Sequence, residues 1–265
     1  MGGDAVLKIQ DGCTVRINAP SARALLDAVE ARLAAGEGFA VATINLDHMV
    51  KLRNDPSFRD AYAGQTHVVA DGNPVVWLCA LAGRKVDLVP GSELVGPLCA
   101  LAARMGAPLA LLGANDETLA AAAERLEADH PGLKVVARIA PPYGFDPTGP
   151  GADACLDQLA ASGARLCLLA LGAPKQEILA ARARTHVPGC GFVSVGAGVD
   201  FVTGAQVRAP AWVRRLTLEW LWRMASDPRR LAGRYLGCAA ILPGLAIRAI
   251  AARGDQPPPT DTQDV

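Results

Sequence analysis

Residues 168–178 have the sequence Leu-Leu-Ala-Leu-Gly-Ala-Pro-Lys-Gln-Glu-Ile, and this stretch predicts the fold. An apolar run of strand length ends in a Gly-x-Pro turn, after which a helix is expected to begin at Lys175. Parallel α/β proteins bind their ligands just beyond the carboxyl end of such a strand. The free backbone N–H groups at a helix start favour an anion there. The stretch therefore indicates a ligand site, which a nucleotide diphosphate would suit.

Short apolar strands and helices alternate on both sides of this stretch. The predicted strands are Phe39–Ile44, Thr66–Ala70, Leu109–Leu112, Leu133–Arg138, Leu166–Leu171 and Gly191–Val195. The predicted helices are a segment through Val50, Pro74–Leu81, Asp116–Ala128, Asp153–Ala161 and Lys175–Arg184. A short hairpin, Ala5–Ile9 with Cys13–Ile17, and a helix capped by Ser21 are expected to precede them. The pattern predicts an α/β fold: a Rossmann-like, mostly parallel sheet with helices on both faces.

The composition allows a sizeable core and argues against several classes of protein. Hydrophobic residues make up 51% and charged residues 20%, which excludes global disorder. The net charge of zero argues against general nucleic-acid affinity. The seven cysteines are scattered without a C-x-x-C pair, so we expect a reduced, cytosolic setting rather than disulfides or a zinc site. The start of the chain lacks the pattern of a signal peptide.

The histidines and the common catalytic motifs give mostly negative results. His48, His67, His130 and His186 show no metal-ligand spacing, and each is expected to be a surface or capping residue. The sequence has no Walker A motif, H-E-x-x-H, G-x-S-x-G or D-x-D. A leaving diphosphate would therefore have to be neutralised by Arg, Lys and helix termini.

The C-terminal part of the chain is basic and apolar. From Arg208 to Arg253 it carries nine Arg against two acids, which implies an anionic partner. A Trp- and Arg-rich helix is expected from Pro210. The uncharged run Gly237–Ile247 is shorter than the roughly 20 apolar residues of a crossing helix, and Pro243-Gly244 is expected to break it. This mixture favours a helix in the membrane interface, with a helix pair packed on the α/β domain as the alternative.

These features divide the chain into three predicted parts. Residues 1–204 would form the α/β domain, residues 205–253 a basic amphipathic helical appendage, and residues 254–265 a disordered tail rich in Pro and Asp. The arginines of the appendage would supply charge to a diphosphate, or else form a solvated, lipid-facing stripe.

Polar side chains follow two of the predicted strands. Thr43 and Asn45 end the first long strand, where they could hydrogen-bond hydroxyl groups; Asn45 could equally cap the next helix. Asp71 follows the second strand beside a glycine that would let a ligand approach, so it is a candidate general base. The alternative for Asp71 is an Asx turn leading to Pro74.

The segment Gly196-Ala-Gly-Val-Asp200 partly imitates a dinucleotide fingerprint. It lacks the third glycine and follows the last strand rather than the first, so it is weak as a Rossmann motif. Asp200 could bind a ribose or a base from this position, or could be another turn carboxylate.

Taken together, these segments resemble the WecG/TagA/CpsF family of bacterial glycosyltransferases. The likeness covers about residues 5 to 236, with several motifs in the same order. The matching residues are Thr43-x-Asn45, Ala70-Asp71-Gly72, Gly91-Ser92, Leu111-Leu112-Gly113, Tyr143-Gly144-Phe145, Gly172-x-Pro174-Lys175-Gln176-Glu177, Gly196-x-Gly198-x-x-Phe201, Ala209-Pro210-x-Trp212, Leu218-Glu219-Trp220-Leu-Trp-Arg223 and Pro228-Arg229-Arg230.

The resemblance implies an inverting, metal-independent transferase without a cofactor. It would move a hexosyl or N-acetylhexosaminyl group from a UDP-sugar to a sugar carried on undecaprenyl diphosphate, at the cytoplasmic face of the membrane. Such an enzyme would be peripheral, would serve cell-surface or exopolysaccharide synthesis, and could self-associate.

The resemblance also assigns roles to residues of this chain. Asp71 would be the base, while Thr43, Asn45 and Gln176 would position the two sugars. The residues implied to hold the nucleotide sugar are Gly172, Pro174, Lys175, Glu177, Gly196 and Asp200. The residues implied to meet the lipid diphosphate or the membrane are Arg214, Arg215, Arg223, Arg229 and Arg230.

Two positions depart from the family pattern. Leu88 and Glu93 stand where members usually have Arg and Asp, which leaves the donor sugar open. The departure also favours an alternative from another class: a membrane-tethered, non-catalytic nucleotide-sugar-binding regulator of polysaccharide assembly. A nicotinamide-dependent oxidoreductase would rest on fold analogy alone, and the missing early glycine-rich turn disfavours it.

Overall fold

A computed structural model of the chain describes residues 4–10, 12–204, 222 and 228–254. The strands in this part are β1 (Ala5–Gln10), β2 (Cys13–Ile17), β3 (Phe39–Ile44), β4 (His67–Ala70), β5 (Leu109–Gly113), β6 (Val135–Ile139), β7 (Leu166–Ala170) and β8 (Gly191–Ser194). The α-helices are α1 (Ala22–Ala35), α2 (Leu46–Asn54), α3 (Pro56–Ala63), α4 (Asn73–Leu81), α5 (Gly91–Met105), α6 (Asp116–Asp129), α7 (Pro150–Ala161), α8 (Lys175–His186), α9 (Gly198–Thr203) and α10 (Pro228–Ala251).

The predicted parallel sheet is confirmed. Six strands pair in the order β4-β3-β8-β7-β5-β6, and all five pairings are parallel. The predicted hairpin of β1 and β2 is also confirmed and forms a separate antiparallel sheet. Because parallel strands end at one edge of a sheet, β4, β3, β8 and β7 deliver the segments that follow them to a common edge.

Helices cover both faces of the sheet, as the apolar strands predict. The consecutive β7 residues Leu168 and Leu169 are both completely buried, yet they belong to hydrophobic clusters on opposite faces. One cluster packs α1, α5, α6 and α9 against the sheet, and the other packs α7 and α8. Burial on both faces explains why these strands are apolar throughout instead of alternating with polar residues.

Helix ends follow the predicted capping chemistry. The Ser21 hydroxyl accepts a hydrogen bond from the Ala24 N–H at 3.1 Å, so Ser21 caps α1 as expected. Helices α3 and α5 were not predicted. Helix α5 carries Pro97 in its interior, and α3 begins with Pro56 directly after α2 ends, so both contain signals that ordinarily mark a helix boundary.

Helix α10 corrects one prediction about the C-terminal part. The expected break at Pro243-Gly244 is wrong, because α10 is continuous from Pro228 to Ala251. Proline removes the hydrogen bond to the carbonyl four residues earlier. Here the carbonyl that loses its N–H donor is that of Ala239, and both Ala239 and Pro243 are exposed to solvent. Leu245 and Ala249 anchor the helix in the core formed with the hairpin and α4.

The same helix is long and apolar enough to cross a membrane by length and composition. The segment Leu231–Gly254 has a mean hydropathy of 1.7 over its most apolar window, of which 28% is buried within the protein. The prediction that this region is too short to span is therefore not supported by the length of the helix.

Candidate functional site

Asp71 and Asn45 lie beside each other at the carboxyl edge of the sheet. Ile44 pairs with Ala70 across β3 and β4, and the Asp71 N–H donates to the Ile44 carbonyl at 2.7 Å. A Cβ added to Gly72 would lie 3.8 Å from the Cβ of Asn45. The segments after the two strands are therefore in contact, with Asp71 half-buried at this edge.

Asn45 has the capping role that the sequence allowed. Its Oδ1 accepts a hydrogen bond from the His48 N–H at 3.1 Å and so caps α2. Capping uses only the oxygen of the amide, so the Nδ2 group retains its capacity to donate to a ligand.

Thr43 is nearly buried beneath the start of α5. A Cβ added to Gly91 would lie 3.3 Å from both Cγ2 and Oγ1 of Thr43 and 3.5 Å from the Ser194 carbonyl. A Cβ at position 91 would therefore be tight, and Thr43 would have to give by a few tenths of an ångström to accommodate it. A larger residue there would displace Thr43 or lift the helix.

Gln176 joins the segments that follow β7 and β8. Its Oε1 accepts from the Gly196 N–H at 3.1 Å, and its Nε2 donates to Glu177 Oε1 at 2.8 Å. Gly172 and Gly196, in the two turns, have φ angles of 71° and 55°, a region that glycine occupies without strain. The turns that follow β7 and β8 are thus connected at the sheet edge.

Glu177 is buried, although a carboxylate in the first turn of a helix is ordinarily exposed to solvent. Its side chain is 0% exposed, whereas Lys175 is half-buried and Gln176 is 3% exposed. Burial raises the pKa of Glu177 from 4.5 to about 7, against a lowering by the Gln176 hydrogen bond and Lys51. Glu177 Oε2 has no hydrogen-bond partner among the described residues.

A buried tyrosine and histidine lie next to this carboxylate. Tyr62 Oη and His48 Nδ1 are 2.7 Å apart, and burial, with the Glu177 and Asp71 carboxylates, raises the pKa of Tyr62 well above 10.0. The expectation that His48 is a surface or capping residue is wrong. It is 5% exposed, and burial, with Lys51, lowers its pKa to about 3, so its ring is neutral.

The carboxylates of Glu177 and Asp71 both raise the pKa of the Tyr62 hydroxyl, although the two residues come after different strands. Because both carboxylates raise the pKa of Tyr62, charge at the end of β4 and at the start of α8 converges on one region. The strand order β4-β3-β8-β7 puts the carboxyl ends of their strands at the same edge of the sheet, with β3 and β8 between them.

An ionic link joins the C-terminal helix to this region. Asp47, in the first turn of α2, pairs with Lys51 at 2.8 Å and with Arg234 of α10 at 3.1 Å. Lys51 Nζ also donates to the Ala173 carbonyl at 3.0 Å. Sequence reasoning missed Asp47, Lys51 and Arg234 because their contacts join segments far apart in the chain.

The remaining predicted site residues are placed as follows. Asp200 lies in the first turn of α9, where burial raises its pKa. Pro174 directly precedes α8. Arg229 lies in α10 and is exposed, whereas the side chain of Arg230 is outside the described part. The helix expected from Pro210, with Arg214, Arg215 and Arg223, also lies outside the described residues, as does the tail beyond Gly254.

All seven cysteines are free and buried. Among the described residues there is no group of three or more His, Cys, Asp or Glu side chains that could hold a metal ion. The polar groups at the edge are instead a carboxylate, amides, a hydroxyl and a helix N-terminus.

These features define a parallel α/β protein whose polar site, at the carboxyl ends of neighbouring strands, suits a phosphorylated ligand. A model of the glycosyl transferase WecG/TagA/CpsF family matches residues 11–256, nearly the whole chain. The chain belongs to this family of glycosyltransferases, as its motifs predict. Membership supports a glycosyltransferase role in the synthesis of cell-surface polysaccharide.

Proposed function

We propose that the protein is an inverting, metal-independent transferase that moves a hexosyl or N-acetylhexosaminyl group from a UDP-sugar to a sugar on undecaprenyl diphosphate. The observation that carries this proposal is the convergence of Asp71, Asn45 and the Gln176–Gly196 link at one edge of the sheet. The proposed reaction needs a base and an anion-binding helix start near the reacting carbon, and Asp71 and the start of α8, which follow strands that end at this edge, are the candidates for these two roles.

Asp71 is the proposed general base. The acceptor hydroxyl gives its proton to the Asp71 carboxylate while its oxygen bonds to the anomeric carbon of the donor. The bond from that carbon to the UDP oxygen breaks, and its electron pair leaves with UDP. A base must approach the hydroxyl within about 3 Å. Gly72 beside Asp71 and the half-buried position of the carboxylate are compatible with such an approach.

The start of α8 is the proposed site of the leaving UDP. Its free N–H groups and Lys175 would stabilise the developing negative charge without a metal ion. Thr43, Asn45 and Gln176 would position the sugars. Since Gln176 Oε1 and one of its N–H bonds are engaged within the protein, it would offer a ligand its remaining N–H. Gly172, Pro174, Gly196 and Asp200 would complete the nucleotide site, with Glu177 behind it.

Helix α10 is the proposed membrane contact. Leu236, Ile247 and Ile250 are 71%, 70% and 55% exposed and lie on one face at 100° per residue, opposite Leu245 and Ala249 in the core. Because one face packs on the α/β domain, we propose that α10 lies in the interface of the cytoplasmic leaflet rather than crossing it. Arg214, Arg215, Arg223, Arg229 and Arg230 would meet the lipid diphosphate.

The test is turnover of a panel of UDP-sugars with and without a short-chain, sugar-bearing diphospholipid acceptor. We expect acceptor-dependent UDP release for one donor, retention of activity in EDTA, and inversion at the anomeric carbon by NMR. Retained anomeric configuration or loss of activity in EDTA would contradict the proposed mechanism.

A second candidate is the non-catalytic, membrane-tethered regulator. It is favoured by Leu88, which is 41% exposed just before α5, where family members usually carry Arg. Tight binding of a UDP-sugar with no UDP release under any acceptor condition would favour this function over transfer.

A further inference from the structure

The two turns beside the proposed nucleotide site are held together by one side-chain amide. Gln176 Oε1 accepts from the Gly196 N–H at 3.1 Å, and Gln176 Nε2 donates to Glu177 Oε1 at 2.8 Å. Glu177 is itself fixed, because α8 is packed against α3 and the Glu177 backbone carbonyl accepts from Gln65 Nε2 at 3.2 Å. The order of contacts is therefore Glu177 to Gln176 to Gly196.

The charge on Glu177 decides how firmly this amide is oriented. An ionised carboxylate only accepts hydrogen bonds, so it requires the NH₂ group of Gln176 to face it and directs Oε1 toward the Gly196 N–H. A protonated carboxyl can also donate, so it tolerates the flipped amide, in which an N–H of Gln176 would oppose the N–H of Gly196. Only the ionised form enforces the orientation that holds Gly196.

We propose that Glu177 is a positioning residue whose carboxylate orients Gln176, so that the Gly196 turn is held against the start of α8 in the geometry that receives the nucleotide. The residue acts through Gln176 and does not itself touch the ligand, since its side chain is completely buried. The nucleotide part of this inference rests on the proposed function.

The groups that face Glu177 set its ionisation near neutral pH. Burial raises the pKa of Glu177 to about 7, while the hydrogen bonds to its carboxylate from Gln176 and from its own backbone N–H, and the charge of Lys51 on α2, act in the opposite direction. Tyr62 of α3, with its own pKa well above 10.0, stays protonated, and His48 behind it stays neutral. Asp71 at the end of β4 contributes negative charge to the same region. We therefore expect Gln176 to hold the Gly196 turn firmly above pH 7. Below pH 7, where Glu177 is protonated, we expect this contact to be looser.

The direct test follows the Gln176 side-chain amide and the Gly196 backbone amide by NMR between pH 5.5 and 8.5. We expect both resonances in the wild-type protein to shift with a common midpoint near pH 7. In the isosteric variant Glu177→Gln, in which residue 177 is neutral at every pH, neither resonance should shift with this midpoint. In the control variant Glu124→Gln, at an exposed position on α6, both resonances should shift as they do in wild type. Absence of a midpoint in wild type, or its persistence in Glu177→Gln, would overturn the proposal.

The functional test compares UDP affinity in the same two variants. At pH 8 we expect Glu177→Gln to bind UDP about three- to tenfold more weakly than wild type, because a charged hydrogen bond is replaced by a neutral one. At pH 6 the ratio should approach one, and taking the ratio cancels the titration of UDP itself. An equal loss at both pH values would show a merely structural role and overturn the proposal.

The two proposals fail separately in these experiments. The amide titration needs no ligand, so it can succeed in a protein that transfers no sugar. Conversely, transfer activity with flat amide resonances would leave the proposed function standing and remove Glu177 from its positioning role.

Discussion

Burial of Glu177 makes the stability of the folded protein depend on pH near neutrality. An ordinary glutamate loses its proton near pH 4.5, but burial keeps Glu177 protonated to about pH 7 in the folded protein. Between these values the folded state binds more protons than the unfolded chain, so this residue lowers the free energy of unfolding as the pH rises. Such costs are common where a site needs a group that the core would exclude.

The corresponding prediction concerns the pH dependence of stability. Glu177→Gln cannot ionise, so its free energy of unfolding should match that of wild type near pH 4.5 and exceed it by up to about 3 kcal/mol at pH 8. Urea unfolding at the two pH values measures this difference. The variant Glu124→Gln should show no such change, and a Glu177→Gln protein less stable than wild type at pH 8 would contradict the account.

His48 affects stability in the opposite direction over a lower pH range. Its pKa falls from 6.5 to about 3 on folding, so the unfolded chain binds the extra proton between these values. This residue therefore raises stability as the pH rises from about 3 to 6.5. Comparison of each variant with wild type at the same pH removes this contribution, because His48 is present in both.

The role of a residue could be predicted from the sequence where that role depends on residues close to it along the chain. The Ser21 cap is set within three residues, and Asn45 caps α2 in the same way. The burial of Glu177 and the pairing of His48 with Tyr62 depend on how α2, α3 and α8 pack together. Local polarity gave no signal for either, since a helix-start glutamate is ordinarily exposed.

At the scale of elements, Asp47 links α2, α10 and the turn before α8. Its carboxylate holds Arg234 and Lys51, and Lys51 in turn holds the Ala173 carbonyl. The Asp47 side chain is 13% exposed, so the pairs are less screened than most surface salt bridges. The position of the C-terminal helix and that of the turn before α8 are therefore connected through the Asp47 carboxylate.

We predict that Asp47→Asn weakens both connections. Loss of the charge should release Lys51 from Ala173 and raise the KM for the UDP-sugar by about three- to tenfold, the scale of one typical hydrogen bond. Steady-state kinetics would measure this, and hydrogen exchange of the first turns of α10 should accelerate. Asp27→Asn, which removes an exposed pair on α1, is the matched control. Unchanged KM and exchange in Asp47→Asn would refute the link.

The elements themselves were predictable where periodicity and boundary residues agree. The strands of the parallel sheet follow directly from apolar runs flanked by turn residues. Helix α5 was not predicted from the sequence, and helix α10 was expected to break at Pro243, because each contains an internal proline. Tertiary packing stabilises these helices: seven residues of α5 are buried, and Leu245 and Ala249 hold α10 against the core formed with the hairpin and α4.

At the scale of the whole molecule, α10 gives the α/β domain an apolar outer face. Leu236, Ile247 and Ile250 share this face, and Trp77 and Leu81 of the adjoining helix α4 are also exposed.

Deletion of all residues after Gly204 should abolish membrane association and most turnover. Because the deletion would also uncover the core beneath Leu245 and Ala249, substitutions on the outer face give a cleaner test.

We predict that the triple variant Leu236→Gln, Ile247→Gln and Ile250→Gln folds normally but binds vesicles at least about 30-fold more weakly. Each exposed aliphatic side chain contributes roughly 1 kcal/mol or more when it enters the interface. Sedimentation with vesicles containing anionic lipid measures the binding. Val136→Gln, at an exposed apolar position on β6, should bind like wild type. Undiminished binding by the triple variant would exclude α10 as the membrane contact.

The assembly of the site at the sheet edge follows from topology that the sequence only partly reveals. Parallel strands place Asp71 and the 172–177 turn at one edge, which the alternation of elements predicts. The strand order β4-β3-β8-β7, which sets how far apart they lie along that edge, is not encoded in any local pattern. It results from which helices cover which face, and so required the structure.

The most direct measurement of the central claim is the turnover rate of Asp71→Asn with a UDP-sugar and a lipid-linked acceptor. The amide keeps the shape of the carboxylate but cannot accept the proton, so kcat should fall by about 10²–10⁴ while UDP affinity stays within about twofold of wild type. A kcat equal to that of wild type would contradict the account, since the carboxylate at the end of β4 would then take no part in the reaction.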